Sequence, residues 1–409
     1  SVERTGGTFR TTEKEFLTSD DPDFHPTDIL EDADGSLLLI DTGGWFRIGC
    51  PTSQIAKPDI AGAIYRIRRA GLPGPDFQGD FRGTGLQLAD MSAPQLIEML
   101  NDERPVVRER VIEALAERRQ FDLRLGQFFE TGSGQTLSDQ AQLNLIWAMT
   151  RRGDYHRANI VADLADLVGD SSKNDDIRIA AANGLSDMLR QSMRPVSLDE
   201  DLRVAFDEAK SAAVRRSIAR LIGIMYEGRG RLRDDVSTQA ERLVRETGQA
   251  LLQRLGQDVQ RPLQEPTDRQ TEHAIILAAI RIEDKHGTID LLADPSPVVR
   301  RAALITLDQM GGDNLPRETV VAVLDTDDDS LRRAALDVIS RHQGWASETS
   351  TLLSVWLHEG TQLTERATMI RGFLRTQTAD EAVQKLMSDL LLDAKLPIAS
   401  RLLLLEVMA

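Results

Sequence analysis

The chain has 409 residues, 41% hydrophobic, 28% charged and only 4% aromatic. This composition excludes a disordered chain and favours a core of Leu, Ala, Val and Ile, as in packed helices, over an aromatic-rich sandwich; the length suggests two domains. The formal charge of −16 repels phosphate backbones, so nucleic acid is not an expected partner.

The first 70 residues read as β structure. Ser36–Ile40 (SLLLI) and Ala63–Ile67 (AIYRI) are short β-type runs, and Asp34-Gly35 before the first is a hairpin-turn signal. Pro22, Pro26, Pro51 and Pro58 argue against helices here. The only cysteine is Cys50, so neither an intrachain disulfide nor a CxxC metal site can form. The opening SVERTGGTFR lacks an apolar signal core, and no run of 18 apolar residues occurs anywhere.

Residues 71–91 are dense in Gly and Pro and read as a linker or an ordered wrap. From Ser92 to the end the periodicity is helical. Leu96, Met99 and Leu100 form one buried stripe and Val107, Val111 and Leu115 the next, with Pro105 placed for a first helical turn. The stretch DERPVVRERVIEAL from Asp102 returns as DPSPVVRRAALITL from Asp294, and RRAAL at 300–304 recurs at 332–336. Alignment on the arginine early in the second helix collects Arg108, Arg178, Arg215, Arg300, Arg332 and Arg401, at intervals of 70, 37, 85, 32 and 69. These intervals cluster near one or two multiples of about 35, a helical-repeat period. Weaker copies start at Ser138, Thr271 and Thr364, giving roughly nine helix pairs. One pair cannot bury its apolar face alone, so each supplies a wall for the next. The run GRGRLR at Gly228–Arg233 is the densest basic stretch and reads as a solvated loop.

Asp102 with Arg108, and Asp294 with Arg300, stand six apart. This resembles the aspartate and arginine of HEAT repeats, and the short period resembles the bilin-lyase type. The resemblance implies a hydrogen-bonded ladder linking neighbouring repeats through Asp102, Arg108, Asp294, Arg300 and Arg332. Asp170 to Arg178, Asp207 to Arg215 and Asp393 to Arg401 stand eight apart and depart from the pattern.

Residues 24–45, FHPTDILEDADGSLLLIDTGGW, carry a Pro26-Thr-Asp28 corner, the Asp34-Gly35 turn and a strand ending in Asp41. They resemble a blade of a six-bladed propeller of the sorbosone or glucose dehydrogenase kind. The following segment, ending GAIYRI, is similar to the closing blade of planctomycete-type exported proteins, called membrane-bound dehydrogenase-like or haem-binding CxxCH proteins. In that family a propeller precedes HEAT repeats and a c-type haem domain. The resemblance implies an exported, periplasmic or cell-surface parent that oxidises a sugar-like alcohol or aldehyde, with haem c and a quinone as its cofactors. This chain has no CxxCH, so no haem can be attached covalently to it. A lone blade leaves both edges and faces unsatisfied, and the apolar RLLLLEVMA lacks the polar face of a capping repeat, so the chain is expected to be a piece of a longer protein.

Candidate chemistry is sparse. His25, Asp28, Asp41 and Trp45 are weak ligand-binding candidates at the propeller corner, and each also has a packing or turn role available. Asp28, Asp32 and Asp34 have the alternate spacing of calcium ligands without the closing glutamate, so a hairpin turn is favoured. Cys50 has no neighbouring base and reads as an inert thiol. The six histidines show no HExxH, and no phosphate loop or GxSxG occurs. No catalytic residue and no metal site is assigned. The expected architecture is a β segment over residues 1–70, a linker over 71–91 and a HEAT-like α-solenoid over 92–409. The expected role is a scaffold and interaction region that holds no cofactor and does not catalyse alone, with neighbouring domains or a protein as partner. A free-standing HEAT-repeat binding module and a bilin-lyase-like enzyme are the alternatives.

Overall fold

The computed structural model describes residues 1–44, 59–68, 79–118, 137–151, 157–191, 199–227, 238–260, 268–311, 315, 317–342, 344–359 and 363–408. Trp45, Cys50 and the basic run at 228–233 lie outside them. The chain divides into two compact units. Ser1–Arg4, Phe9–Val168 and Ser172–Met188 form the first; Thr5–Thr8, Gly169–Ser171 and Leu189–Ala409 form the second. The described residues are mainly helical, with 17 α-helices and two small sheets near the N-terminus.

Strands β1 (Val2–Thr5) and β2 (Thr8–Thr11) pair around Gly6-Gly7, where Gly6 takes φ +58°. The Gly-Gly step is the sequence signal for this ribbon, because neither flank has apolar alternation. Strands β3 (Pro26–Glu31), β4 (Leu37–Asp41) and β5 (Ala63–Ile67) form a second antiparallel sheet in that order. The Asp-Gly turn closes β3 onto β4: the Asp32 N–H donates to Ser36 O (2.8 Å), and Gly35 takes φ +74°. Pro26-Thr27-Asp28 lies inside β3, and the register shifts there. Ile29, Leu39 and Tyr65 align across the strands on one face, and Leu30, Leu38 and Arg66 on the other. Leu39 is buried, whereas Ile29, Leu30, Ile64 and Tyr65 are exposed. Apolar side chains therefore stand on both faces, a pattern that suits a sheet covered twice.

The Gly-rich stretch after β5 is an ordered wrap over its described part, 79–91. Arg104 donates to Asp80 O (2.9 Å), Arg110 to Arg82 O and Gly83 O (2.9 and 2.6 Å), and Arg118 to Ala89 O and Met91 O. Gly83 at φ +62° faces Val107, whose Cγ2 would stand 2.6 Å from a β-carbon added there.

The first unit continues with α1 (Ala93–Met99), α2 (Pro105–Glu117), α3 (Asp139–Thr150), α4 (Arg157–Gly169) and α5 (Asp175–Gln191), of which Met188 is the last residue in that unit. Helix α1 packs on α2 and α2 on α3. Pro105 opens α2, where its missing N–H has no helical partner to lose, and Ser138 caps α3 by accepting from Ala141 N–H (3.2 Å).

The second unit holds α6 (Asp199–Glu208), α7 (Ala212–Tyr226), α8 (Thr238–Gln260), α9 (Arg269–Ile282), α10 (Lys285–Asp290), α11 (Pro297–Gln309), α12 (Arg317–Val323), α13 (Asp329–Arg341), α14 (Ser350–Glu359), α15 (Leu363–Thr376), α16 (Glu381–Leu392) and α17 (Ile398–Met408). Aspartates 268, 284, 328 and 380 cap α9, α10, α13 and α16 through main-chain N–H groups. Alternate helices meet: α7 packs on α9, α9 on α11, α11 on α13, α13 on α15 and α15 on α17. A second series runs α6 on α8, α8 on α10 and α14 on α16. The core is the apolar stripe between them, with Phe206, Ile218, Ile222, Leu304, Leu336 and Leu404 fully or almost fully buried. The Gly6-Gly7 turn belongs to this unit: Gly7 donates to Asp268 (2.6 Å), and its carbonyl accepts from Arg216.

Candidate functional site

The propeller-corner candidates come together only in part. The Asp41 carboxylate is buried and accepts from the N–H groups of Gly43 (2.8 Å) and His25 (2.9 Å). Those bonds, Gly43 first, hold its carboxyl below the usual range. The His25 ring Nδ1 lies 2.9 Å from Asp23 O. Asp28 is exposed and accepts from the Ile29 N–H (2.8 Å). His25 and Asp41 thus fasten the β3–β4 corner, while Asp28 stands apart from them. Asp32 and Asp34 face cations of the chain itself: Arg66 reaches Asp32 at 2.7 Å and Asp34 at 3.2 Å, and Arg68 reaches Asp34 at 3.1 Å. The Ser36 bonds to Asp34 complete a turn built on arginine and main chain.

The recurring arginines share one position. Arg108, Arg178, Arg215, Arg300, Arg332 and Arg401 are each the fourth residue of their helix. A side chain there leans back over the helix start, toward the turn before it. The acceptors waiting in that turn are carbonyls left without helical donors. Arg108 donates to Asp102 O (2.7 Å) and Glu103 O (3.0 Å), and Arg215 to Ala209 O (3.0 Å) and Lys210 O (2.9 Å). Arg178 takes Val168 O (3.0 Å), Arg332 takes Leu324 O (3.2 Å) and Thr326 O, and Arg401 takes Asp393 O (2.6 Å).

The ladder that the HEAT resemblance implies would need these arginines on aspartate carboxylates, whereas Arg108 takes the Asp102 main-chain oxygen. The carboxylates of Asp102, Asp294 and Asp393 also each close their own turn, and that of Asp393 bonds His358 as well. Asp102 accepts from Arg104 N–H (2.9 Å), Asp294 from Ser296 N–H (2.8 Å) and Asp393 from Lys395 N–H (2.8 Å). A carboxylate two residues before an N–H closes an Asx turn over a shorter reach than any link to a neighbouring pair. Burial is the largest single effect on the Asp102 carboxyl and would raise it, but the Arg104 side chain (2.7 Å), the Arg104 N–H and the charges of Arg104 and Arg108 together outweigh it and leave the group below the usual range. Arg300 stands in the same helical slot, yet its buried Nε has no acceptor among the described residues.

The links between successive hairpins are of other kinds, and their separations recur. In the first unit Asn101 accepts from the Ser138 hydroxyl (2.6 Å, 37 residues apart), and Asn174 donates to Asp139 (2.7 Å, 35 apart). In the second, Gln249 donates to Gly287 O (38 apart), Arg341 to Asp308 (2.7 Å, 33 apart) and Gln377 to Ser340 O (37 apart). His358 meets Asp393 (2.9 Å) and Arg371 meets Glu406 (3.0 Å), both 35 apart. No single residue type carries these links, which is why a search for a repeated letter misses them.

Aromatic and basic side chains gather in the second unit. Trp356, almost fully buried, has the Arg332 guanidinium 5.6 Å from its ring centroid and that of Arg366 at 5.0 Å. His342 stacks on Trp345 with centroids 4.5 Å apart and reaches the Asp308 carboxylate at 3.1 Å. Asp308 also takes both Arg341 bonds, so its oxygens are engaged.

His358 lies between two acceptors. Its Nδ1 faces Ser354 O (2.6 Å) and its Nε2 faces Asp393 (2.9 Å), so both bonds require the imidazolium. The Asp393 bond first, then the Ser354 carbonyl, raises His358 above its ordinary 6.5; the His358 bond first, then the Lys395 N–H, lowers Asp393 below 3.8. The imidazolium contribution is complete below pH 6.5 and disappears as pH climbs through the raised value. The carboxylate contribution is complete above pH 3.8 and disappears as pH falls through the lowered value. The thermal-midpoint difference between the wild type and His358→Gln is therefore expected to be largest between pH 3.8 and pH 6.5 and to shrink as pH rises through the raised His358 value. A difference that stays flat across that range would remove the ion pair from the account.

The described residues contain no group of three or more His, Cys, Asp or Glu arranged to hold a metal ion, and none of their helices is long and apolar enough to cross a membrane. The chemistry available at these clusters is hydrogen bonding and cation–π contact, most of it already satisfied within the chain. No protein-family model matches the sequence, and no curated protein matches it.

Proposed function

We propose that this chain is a non-catalytic scaffold: an array of HEAT-like helix pairs, preceded by a propeller-type β segment, that holds neighbouring domains or a protein partner. The observation that carries this reading is the recurrence, within each unit, of side-chain links 33 to 38 residues apart that tie several helices to later ones. An array joined in this way grows by nearest-neighbour contacts and not by bringing reactive groups together at one point. The side chains with catalytic potential that have been described, His25, Asp41, Asp308, His342 and His358, are engaged with the chain's own main-chain or carboxylate groups.

The wider form of the proposal places the scaffold in an exported dehydrogenase-like parent, between a propeller and a haem domain. The β3–β5 sheet supports it, since apolar residues on both faces suit a blade covered by a neighbouring blade. The protein isolated from its source should then exceed 45.4 kDa and show c-type haem absorbance. A haem-free native protein of 45.4 kDa would remove the parent. The scaffold reading itself fails if the purified chain oxidises sugar alcohols or aldehydes with an artificial electron acceptor.

A further inference from the structure

Charge is divided unequally between the two helix series of the second unit. Helices α7, α9, α11, α13 and α15 hold 13 arginines and five carboxylates, a balance of +8. Helices α6, α8, α10, α12, α14 and α16 hold seven basic and 13 acidic residues. One series is thus basic in a chain whose formal charge is −16. Part of the excess faces outward. Arg216 and Arg220 on α7, Arg333 and Arg341 on α13, and Arg371 and Arg375 on α15 stand four or eight residues apart, a spacing that keeps side chains on one side of a helix. Arg220, Arg333, Arg341 and Arg375 are exposed.

Ion pairs run from helix to helix on this side. Arg281 meets Glu227 at the end of α7 (3.7 Å), Arg301 meets Glu272 on α9 (2.6 Å) and Arg341 meets Asp308 on α11 (2.7 Å). Arg220, Arg333 and Arg375 have no carboxylate partner among the described residues. Asp337, exposed between Arg333 and Arg341, has no ion pair among them either. At the α7–α9 edge the same side already holds a piece of main chain. The Gly7 carbonyl accepts from Arg216, and the Gly7 N–H donates to Asp268 (2.6 Å). A β-carbon at Gly7 would stand 2.5 Å from Thr271 Oγ1, so the peptide backbone itself lies against these helices.

We infer that this basic side binds an extended acidic segment of a partner protein, whose carboxylates pair with Arg220, Arg333 and Arg375. The inference rests on the scaffold reading and names the partner's chemistry. Carboxylates are the anions that the neighbouring arginines already hold, and guanidinium matches their geometry. Packed helices stand about 8–10 Å apart and an extended chain advances about 3.3 Å per residue, so every third side chain of such a segment meets a new helix. The seated Gly7 shows this side taking peptide through both main-chain groups of one residue. A long polyanion such as nucleic acid would reach past the basic side and meet the acidic remainder of the chain.

The test is fluorescence anisotropy of the full 409-residue chain with a labelled peptide of about 15 residues, glutamate at every third position and Gly or Ser between. Saturable binding in the micromolar range is expected, weakening at least about 10-fold between about 50 and 300 mM salt, with none to the matching lysine peptide. Arg220→Ala, Arg333→Ala and Arg375→Ala together should weaken it at least about 10-fold with helical circular dichroism unchanged. Should the triple variant fold poorly, each single change should weaken it about 2- to 3-fold. Lys385→Ala with Lys395→Ala, exposed cations outside this series, should leave it unchanged. No peptide binding overturns the inference, as does binding that the arginine variants leave intact or tighter binding of an oligodeoxythymidine of similar length. None of these results touches the scaffold reading, which is judged by the oxidation assay.

Discussion

Replacing Arg215 by methionine is expected to destabilise the α6–α7 hairpin by about 3 kcal/mol, read as faster native-state hydrogen exchange of its amides. Arg215 is fully buried and donates to Ala209 O and Lys210 O. Methionine keeps much of the volume, so the loss comes chiefly from the Ala209 carbonyl, left without a donor in a buried place, with a smaller part from the partly buried Lys210 carbonyl. Each such orphan costs about 1–3 kcal/mol. Arg108→Met removes the same pair of bonds at Asp102 and Glu103, but there the groups are partly solvated. Water can replace the guanidinium, and a loss of about 1 kcal/mol is expected. Equal losses at the two sites would mean that the arginine acts through packing and not through the carbonyls.

Gly223→Leu is expected to cost at least about 3 kcal/mol and to shift α9 away from α7. A β-carbon at Gly223 would stand 3.0 Å from the Ala278 α-carbon and 3.3 Å from its β-carbon, so the main chain of the neighbouring helix fills the space. The close approach is built from small residues on both sides, among them Ala219, Gly223, Ala278 and Ala279. Gly372, inside α15, is the contrasting case, because nothing lies within 4 Å of a β-carbon there. Gly372→Ala should stabilise by about 0.5 to 1 kcal/mol through helix propensity and reduced freedom of the unfolded chain. Urea midpoints moving in opposite directions for the two glycines would bear this out; a destabilised Gly372→Ala would refute it.

Several elements were readable from the residues alone. The short β-type runs SLLLI and AIYRI located β4 and β5 to within one residue, and Pro105 marked the start of α2. The arginine spacing marked the start of six helices, because position four has one geometry whatever surrounds it. What these arginines bond to was not readable. Their acceptors are carbonyls, which every residue possesses, so no letter in the sequence announces them. The same limit hid the hairpin-to-hairpin links: Asn–Ser, Arg–Asp, His–Asp and Gln–carbonyl bonds occupy equivalent separations with different chemistry. His25 and Asp41 were singled out for their residue types, and their partners turned out to be main-chain groups of the same corner.

The arginine lock has a consequence for how such a chain tolerates change. A guanidinium that grips main-chain oxygens takes no notice of which side chains stand in the turn. Turns can then lengthen, shorten or exchange residues while the two helices stay hinged at the same angle, provided one long cation keeps its place. Divergence is thereby steered into the connections, and a mutational scan should find turn positions other than the Asx aspartates permissive and Arg108, Arg178, Arg215, Arg332 and Arg401 intolerant.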